Sequence, residues 1–158
     1  MTQTSDKPEA QQRTAIFPGS FNPYTVGHAS VVGRALALFD NIIIAVGINR
    51  AKHSDADIDA RLEPIRRLYA GNSAVRVCAY DGLTADFARQ CGARFILRGV
   101  RSVKDFEYER DMADINRRLT GIETVLLYTL PEHAAISSSV VRELASFGAD
   151  TAPFLPKD

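Results

Sequence analysis

Four short stretches of the chain hold residues that could bind phosphate, and each follows an apolar run. In the first, "FPGSFNPYTVGH" over residues 17–28, Gly19 and Gly27 permit close backbone approach and Ser20 offers a hydroxyl. We expect His28 in the first turn of a helix, where free N–H groups and the helix dipole attract anions. There His28 could donate a hydrogen bond to a phosphate oxygen. A role in capping the helix is the alternative.

Two further stretches supply positive charge. In "INRAKHSD", residues 48–55, the Lys52 ammonium group could reach a phosphate, although a solvated surface lysine fits as well. In "LRGVRSVKDFEYE", residues 97–109, Arg98 and Arg101 follow an apolar run, and their guanidinium groups suit bidentate contacts with phosphate. The alternative partners of these two arginines are the carboxylates that follow them, Asp105, Glu107 and Glu109.

The fourth stretch is a run of serines in "HAAISSSVVRE", residues 133–143. Either Ser137 or Ser138 could cap the helix that follows. Three consecutive serines exceed the need of a single cap, so their hydroxyls and the free N–H groups predict a second phosphate cradle, facing the first. Arg142 could add positive charge one turn later.

These stretches are rich in phosphate binders and poor in general bases, which favours a particular chemistry. A hydroxyl nucleophile needs a base to take its proton, whereas a phosphate nucleophile is already ionised and needs its charge neutralised. We therefore expect in-line attack of a substrate phosphate on the α-phosphate of a nucleotide, with loss of pyrophosphate. Mg²⁺ would screen the triphosphate. The three histidines and two cysteines fit no zinc spacing.

Composition narrows the function classes. Nineteen basic and nineteen acidic residues give a net charge of zero, so no global field attracts nucleic acid or a membrane. Cys78 and Cys91 have neither metal spacing nor a disulfide framework, which is typical of a reducing cytoplasm. No apolar run reaches the roughly 18 residues of a membrane span. We expect residues 1–13 to form a disordered polar tail and residues 14–158 to form one domain.

The elements between these stretches alternate strand and helix. Five β-rich runs begin at Thr14, Asn41, Ala74, Arg94 and Thr124, with helical patterns between them. This order predicts a doubly wound five-stranded parallel sheet, in which ligands bind outside the carboxyl ends of the strands at a switch in strand order. One helix start stays open, because the helix before Gly71 could begin near Asp57 or near Glu63, with Pro64 in its first turn.

Taken together, "GSFNPYTVGH", "LRGVRSVKDFEYE" and "ISSSVVRE" closely resemble the bacterial phosphopantetheine adenylyltransferases in order and spacing. The resemblance covers the chain from about Arg13 to Pro156, and "TVGH" is similar to the Thr-x-Gly-His form of the nucleotidyltransferase signature. It implies a Rossmann-like nucleotidyltransferase fold. It also implies transfer of AMP from ATP to 4′-phosphopantetheine, which yields dephospho-coenzyme A and pyrophosphate.

The resemblance also implies roles for individual residues. His28 would stabilise the transition state and contact ATP. The remainder of the ATP site would comprise Ser20, Phe21, Gly99, Val100, Arg101, Glu109, His133, Ala134, Ala135, Ile136, Ser137, Ser138 and Ser139. The phosphopantetheine substrate would be held by Ser20, Lys52, Thr84 and Arg98. Relatives use Mg²⁺ with ATP and form cytoplasmic homohexamers that coenzyme A can inhibit, and we expect the same here.

Some positions depart from the family pattern, and rival functions remain. Asn22 stands where many members have aspartate, and Thr84 replaces a hydrophobic residue of some relatives. A nicotinamide mononucleotide adenylyltransferase or a glycerol-phosphate cytidylyltransferase would keep both signatures but not "RGVRSVKDFEYE". A non-catalytic nucleotide-sensing domain would not need every phosphate-binding group.

Overall fold

Strands and helices alternate along the chain in the computed structural model, which describes residues 11–158. The strands are β1 (Thr14–Gly19), β2 (Asn41–Gly47), β3 (Val75–Tyr80), β4 (Phe95–Val100) and β5 (Glu123–Tyr128). The α-helices are α1 (Val26–Ala35), α2 (Asp55–Tyr69), α3 (Thr84–Gln90), α4 (Val103–Thr120) and α5 (Ser138–Ser146). Short 3₁₀ turns cover Pro131–His133 and Ala152–Phe154.

The strands form one parallel sheet in the order β3-β2-β1-β4-β5, so the predicted doubly wound five-stranded sheet is confirmed. Successive strands are added on one side of β1 up to β3 and on its other side from β4, so the strand order switches between β1 and β4. These two neighbours pair only at Ala15 and Ile16, whereas β1 pairs with β2 along its whole length, from Thr14 to Gly19. The carboxyl ends of β1 and β4 therefore separate, which opens a crevice at the switch point.

Both faces of the sheet are buried. On one face, α1 and α2 cover a cluster that includes Phe17, Ile42 and Ile44. On the other face, α3 covers a smaller cluster that includes Ile16 and Ile96. Burial on both sides explains why β2 is nearly continuous in Ile and Val, as is typical of parallel strands.

The helix whose start was open begins at Asp55, so the alternative start near Glu63 is wrong. Ser54 caps this helix: its hydroxyl accepts the Asp57 N–H at 3.2 Å, and the Asp57 carboxylate accepts the Ser54 N–H at 3.0 Å. This reciprocal cap determines the first turn. Pro64 consequently lies in the helix interior.

The predicted disordered tail falls mainly on residues 1–10, which lie outside the described residues. Of its last residues, Gln12 accepts a hydrogen bond from the side chain of Asn41, the first residue of β2, at 2.9 Å. The Asp40 carboxylate accepts hydrogen bonds from the Arg13 backbone N–H at 2.7 Å and from the Arg13 guanidinium at 3.2 Å. Within residues 11–158, no helix is long and apolar enough to cross a membrane.

Candidate active site

A cavity of about 300 Å³ occupies the crevice between β1 and β4. It brings together three of the four predicted phosphate-binding stretches, which come from the β1–α1 loop, the end of β4 and the start of α5. The predicted site residues that line it are Ser20, Phe21, His28, Arg98, Gly99, Arg101, Glu109, Ile136, Ser137, Ser138 and Ser139. The switch in strand order thus gathers residues that lie more than a hundred positions apart in the chain.

The β1–α1 loop turns sharply around Phe21. This residue has a positive φ of 44°, and its buried ring lies 5.2 Å from the ring of Phe17. Gly19 is required beneath it, because a Cβ atom at Gly19 would lie 2.9 Å from two ring carbons of Phe21. The glycine thus lets the aromatic ring close over the end of β1, which directs the chain toward the start of α1.

His28 is both a helix cap and a candidate hydrogen-bond donor. Its Nδ1 accepts the backbone N–H of Thr25 at 2.9 Å, and the Thr25 hydroxyl accepts the His28 N–H at 3.4 Å. This pair forms the capping box of α1. Because Nδ1 is an acceptor, a neutral ring must carry its proton on Nε2. The same ring can therefore cap the helix through Nδ1 and donate to a phosphate oxygen through Nε2.

The surroundings of His28 keep its ring neutral. The pKa of His28 is lowered from 6.5 to about 4, chiefly by burial and then by the positive charges of Arg101 and Arg98. The ring stacks on Tyr24 at 5.4 Å and meets the edge of Phe21 at 5.0 Å. At neutral pH the imidazole can therefore donate from Nε2 without carrying a charge.

The two arginines of this cavity are paired with carboxylates. Arg98 forms a bidentate pair with Glu109, with Nη2 to Oε1 at 2.7 Å and Nε to Oε2 at 2.9 Å. Arg101 lies 3.4 Å from the Asp105 carboxylate, which also accepts the Arg101 backbone N–H at 3.2 Å. The salt-bridge alternative is thus correct for Asp105 and Glu109. Arg98 binds both carboxylate oxygens of Glu109, whereas Arg101 meets Asp105 through Oδ2.

Each serine of the fourth stretch has a distinct partner. Ser137 is the N-cap of α5, since its hydroxyl accepts the Val140 N–H at 3.2 Å. The Ser138 hydroxyl donates to the carbonyl of Pro23 at 2.8 Å, which ties α5 to the β1–α1 loop. The Ser139 hydroxyl accepts from Arg142 at 3.3 Å. One cap therefore accounts for Ser137, Ser138 ties α5 to the loop that precedes α1, and Ser139 bonds within its own helix.

A second cavity of about 320 Å³ adjoins the first. Thr84 lines it, and its hydroxyl lies 2.8 Å from that of Tyr80. The residues common to both cavities are Pro18, Gly19, Ser20, Arg98 and Glu109. A ligand that filled both cavities would therefore pass beside the Arg98–Glu109 pair.

Several predicted site residues lie outside the lining of both cavities. Lys52 is exposed in the loop after β2, at the same edge of the sheet, and Val100 is buried at the end of β4. The others, His133, Ala134 and Ala135, lie in and after the 3₁₀ turn that precedes α5. The His133 Nδ1 atom is buried, with no hydrogen-bond partner among the described residues.

The sequence reasoning missed some residues of these cavities. Thr25 orients His28, and its three-residue spacing from His28 is a capping-box signal. Asp105 was considered only as an ion-pair partner, yet it lines the first cavity. Asn116 and Thr124 line the second cavity, and no local sequence pattern marks them. Among residues 11–158, no group of three or more His, Cys, Asp or Glu side chains could hold a metal ion.

Comparisons with known proteins identify the family of this chain. A family model described as Cytidylyltransferase-like matches residues 16–144. The protein named phosphopantetheine adenylyltransferase of Bacteroides thetaiotaomicron is 54% identical over 145 residues, covering 92% of this chain and 96% of the relative. That of Phocaeicola vulgatus is 55% identical with the same coverage. That of Leuconostoc citreum is 45% identical, covering 90% of this chain and 91% of the relative.

Proposed function

Because this chain belongs to the cytidylyltransferase-like family, as a phosphopantetheine adenylyltransferase, we propose that it transfers AMP from ATP to 4′-phosphopantetheine. The products are dephospho-coenzyme A and pyrophosphate, in a step of coenzyme A synthesis. The observation that carries the proposal is that the N-termini of α1 and α5, with His28 and the three serines, line one cavity. Two helix N-termini and neutral donors suit a polyphosphate.

The reaction needs no protein base. The acceptor phosphate has a second pKa of about 6, so at neutral pH it is already ionised. One of its oxygens attacks the α-phosphorus of ATP and forms a new P–O bond. The bond between the α-phosphorus and the oxygen that bridges it to the β-phosphorus breaks. Pyrophosphate leaves with that bond's electrons. The pairing of Asp105 and Glu109 with arginines agrees with this route, because neither carboxylate has to accept a proton.

His28 acts on the charge that builds up during transfer. Its Nε2–H donates to the phosphoryl oxygens, while Nδ1 stays engaged with Thr25. A donor preorganised in this way stabilises developing negative charge without reorganising during the reaction. Because the pKa of His28 is lowered, Nδ1 stays unprotonated at neutral pH. The ring can therefore accept from Thr25 through Nδ1 while it donates through Nε2.

The two substrates occupy the two adjoining cavities. ATP binds in the cavity between α1 and α5, and the pantetheine arm binds in the cavity lined by Thr84. The acceptor phosphate then lies at the shared wall, where Ser20 and Arg98 contact both cavities. Lys52 would reach this phosphate from the loop after β2, as a mobile ammonium group.

Mg²⁺ enters this scheme as part of the substrate. Magnesium is commonly bound by substrate phosphates together with one or two carboxylates and water. Both carboxylates of the nucleotide cavity, Asp105 and Glu109, are already paired with arginines. We therefore expect the ion to arrive bound to the triphosphate, where it lowers the charge that the attacking phosphate meets.

Regulation and assembly follow the family expectation. Coenzyme A carries both the pantetheine arm and the adenosine diphosphate of the product, so it would fill both cavities and compete with the substrates.

An apolar stripe on α4 supports homohexamer formation. Its members are 38% to 62% exposed and follow helical spacing: Tyr108, Met112, Ile115 and Leu119. Burial of such a stripe between copies removes apolar surface from water. We place the enzyme in the cytoplasm, where ATP is abundant.

The decisive experiment measures pyrophosphate release from ATP and Mg²⁺ with 4′-phosphopantetheine, with dephospho-coenzyme A identified by mass. Parallel reactions contain nicotinamide mononucleotide with ATP, or glycerol 3-phosphate with CTP. We expect release only with 4′-phosphopantetheine. Release only with another acceptor would overturn the substrate assignment. An absence of release from every mixture, with ATP still bound, would favour the sensing domain.

A further inference from the structure

We propose that Tyr24 is a positioning residue that holds the imidazole of His28 in its donating orientation, and that Tyr69 anchors Tyr24. The inference rests on the proposed function and deepens it, since it concerns how the donor of that reaction is kept in place. Tyr24 lies in the loop before α1, and Tyr69 is the last residue of α2. Neither tyrosine lines a substrate cavity, whereas His28 lines the first, so both tyrosines act through His28.

The imidazole of His28 is bounded by aromatic rings. The Tyr24 ring stacks on it with the two centroids 5.4 Å apart and 29° between the planes, and the Phe21 ring meets it edge-on at 5.0 Å. The backbone N–H of Thr25 fixes only one atom of the imidazole, Nδ1, so the ring could still swing about that hydrogen bond. Stacking on Tyr24 opposes this motion, which would carry Nε2 away from the phosphoryl oxygens.

Tyr24 is itself held at its hydroxyl group. The residue is only 6% exposed, and its hydroxyl lies 2.7 Å from the hydroxyl of Tyr69. The two phenol rings meet edge-on, with centroids 6.2 Å apart. Burial raises the pKa of both tyrosines, so both hydroxyls stay protonated and the pair stays neutral at the pH where the enzyme works. Because a buried hydroxyl needs a partner, Tyr69 determines where the Tyr24 ring lies.

This arrangement ties the orientation of His28 to the packing of α2. The helix packs on the sheet through Leu62 and Ile65, which belong to the larger core cluster, so Tyr69 stands on a rigid element. A histidine without such support would lose rotamer freedom each time ATP bound. With the ring fixed in advance, Nε2 can stabilise developing charge without reorganising during the reaction.

The principal variant is Tyr24→Leu, which removes the ring but keeps an apolar side chain. We expect kcat to fall about tenfold or more, because the donor loses its orientation. The KM values for ATP and 4′-phosphopantetheine should stay within about twofold, since Tyr24 lines neither cavity. An unchanged kcat, or a loss that appears only in the KM values, would overturn the proposal.

Phe39→Leu is the matched control for the loss of a buried ring. Phe39 is also 6% exposed and belongs to the same core cluster as Tyr24, but its ring packs on that of Phe95, 5.4 Å away. We expect Phe39→Leu to lower the melting temperature while kcat stays within about twofold of the wild type. An equal loss of kcat in both leucine variants would mean that Tyr24 supports the core and does not position His28.

The hydroxyl pair offers a second test that leaves both rings in place. Tyr69→Phe leaves the buried hydroxyl of Tyr24 without a partner, whereas Tyr24→Phe leaves only the half-buried hydroxyl of Tyr69. We therefore expect kcat to fall about threefold or more in Tyr69→Phe and less than about twofold in Tyr24→Phe. The variant with both substitutions should recover most of the loss. A full kcat in Tyr69→Phe would overturn the anchoring role of Tyr69.

A double-mutant cycle with His28→Ala separates positioning from other effects on the rate. If Tyr24 acts through the imidazole, Tyr24→Leu has no further effect on kcat once His28 is replaced. A further loss as large as that in the wild-type background would overturn the proposal. Thermal unfolding shows whether each variant folds, and if Tyr24→Leu does not, Tyr69→Phe carries the same prediction.

Nuclear magnetic resonance of isotope-labelled histidine gives a readout that does not depend on turnover. The ring nitrogens of His28, identified by their loss in His28→Gln, should report a proton on Nε2 alone in the wild type and in Phe39→Leu. In Tyr24→Leu they should report a mixture of both tautomers, and an unchanged spectrum would overturn the proposal. Wild-type protein with this fixed tautomer that produced no pyrophosphate would refute the proposed function alone.

Discussion

The Nδ1 atom of His28 lies 2.9 Å from the backbone nitrogen of Thr25, whose N–H can only donate. That contact decides which ring nitrogen carries the proton, and it is also half of the capping box that starts α1. The same hydrogen bond therefore begins a helix and prepares a donor for the transition state. The backbone N–H of Thr25 thus both caps the first turn of α1 and orients the imidazole of His28, so a change in one affects the other.

Substitutions of His28 should distinguish its two nitrogens. In glutamine the side-chain amide nitrogen can reach the position of Nε2, whereas in asparagine it reaches only the position of Nδ1. We expect His28→Ala and His28→Asn to lower kcat by about 10²-fold or more, the scale for one lost transition-state donor. His28→Gln should keep more activity than either. Steady-state pyrophosphate release, with the KM for each substrate, checks this order, and an asparagine variant as active as the glutamine variant would contradict donation from Nε2.

The lowered pKa of His28 predicts a pH dependence of stability. Its folded pKa is about 4 against 6.5 for an unperturbed histidine, so below pH 6.5 the unfolded chain binds a proton that the folded chain does not. The contribution of His28 to the free energy of unfolding should fall by up to about 1.4 kcal/mol per pH unit between pH 6.5 and pH 4. Between pH 7 and pH 5 the contribution of His28 amounts to about 2 kcal/mol.

Urea unfolding of wild-type protein and of His28→Gln at both pH values measures this contribution. Every other titrating group is shared, so the difference between the two pH dependences isolates His28. The stability advantage of the wild type over the variant should shrink as the pH falls. Parallel pH dependences would show that the ring titrates alike in the folded and unfolded chains.

Gly19 and Gly33 should respond in opposite directions to alanine. A Cβ atom at Gly19 would lie 2.9 Å from the ring of Phe21, which is 3% exposed and cannot move aside. We expect Gly19→Ala to lower the free energy of unfolding by about 1–3 kcal/mol and to weaken ATP binding, because Phe21 lines the nucleotide cavity. Gly33 is exposed in α1, and a Cβ atom there would have no neighbour within 4 Å, so Gly33→Ala should raise the free energy of unfolding by about 0.5–1 kcal/mol. Thermal unfolding checks both signs.

Pro64 lies inside α2 and should lower the free energy of unfolding there. Proline donates no N–H, so the carbonyl of Ala60 lacks its usual partner four residues later, and the ring crowds the preceding turn. We expect Pro64→Ala to raise the free energy of unfolding by about 1–3 kcal/mol, measured by urea unfolding. Pro131→Ala is the matched control, since Pro131 opens a 3₁₀ turn and should give no gain. A loss of stability in the Pro64 variant would mean that the ring makes packing contacts worth more than the missing hydrogen bond.

Much of the fold was predictable because its signals are local. Runs of β-branched residues mark the strands, and cap residues mark where helices begin, as Ser137 does for α5. The interior proline of α2 was the exception. Its cost is a single local penalty, which the cap at Ser54 and the burial of Ile58 and Leu62 offset, and burial is not visible in a short window of sequence.

The sequence by itself determined the alternation of elements, the parallel sheet and the placing of His28 in a first helical turn, because each depends on residues only a few positions apart. The tertiary structure alone decided which groups meet. The short pairing of β1 with β4 leaves a crevice between their carboxyl ends. Arg98 pairs with Glu109, and the Ser138 hydroxyl donates to the carbonyl of Pro23, 115 positions away in the chain. Strand order controls those contacts, and strand order follows from how helices pack on two faces of a sheet, which no local pattern records.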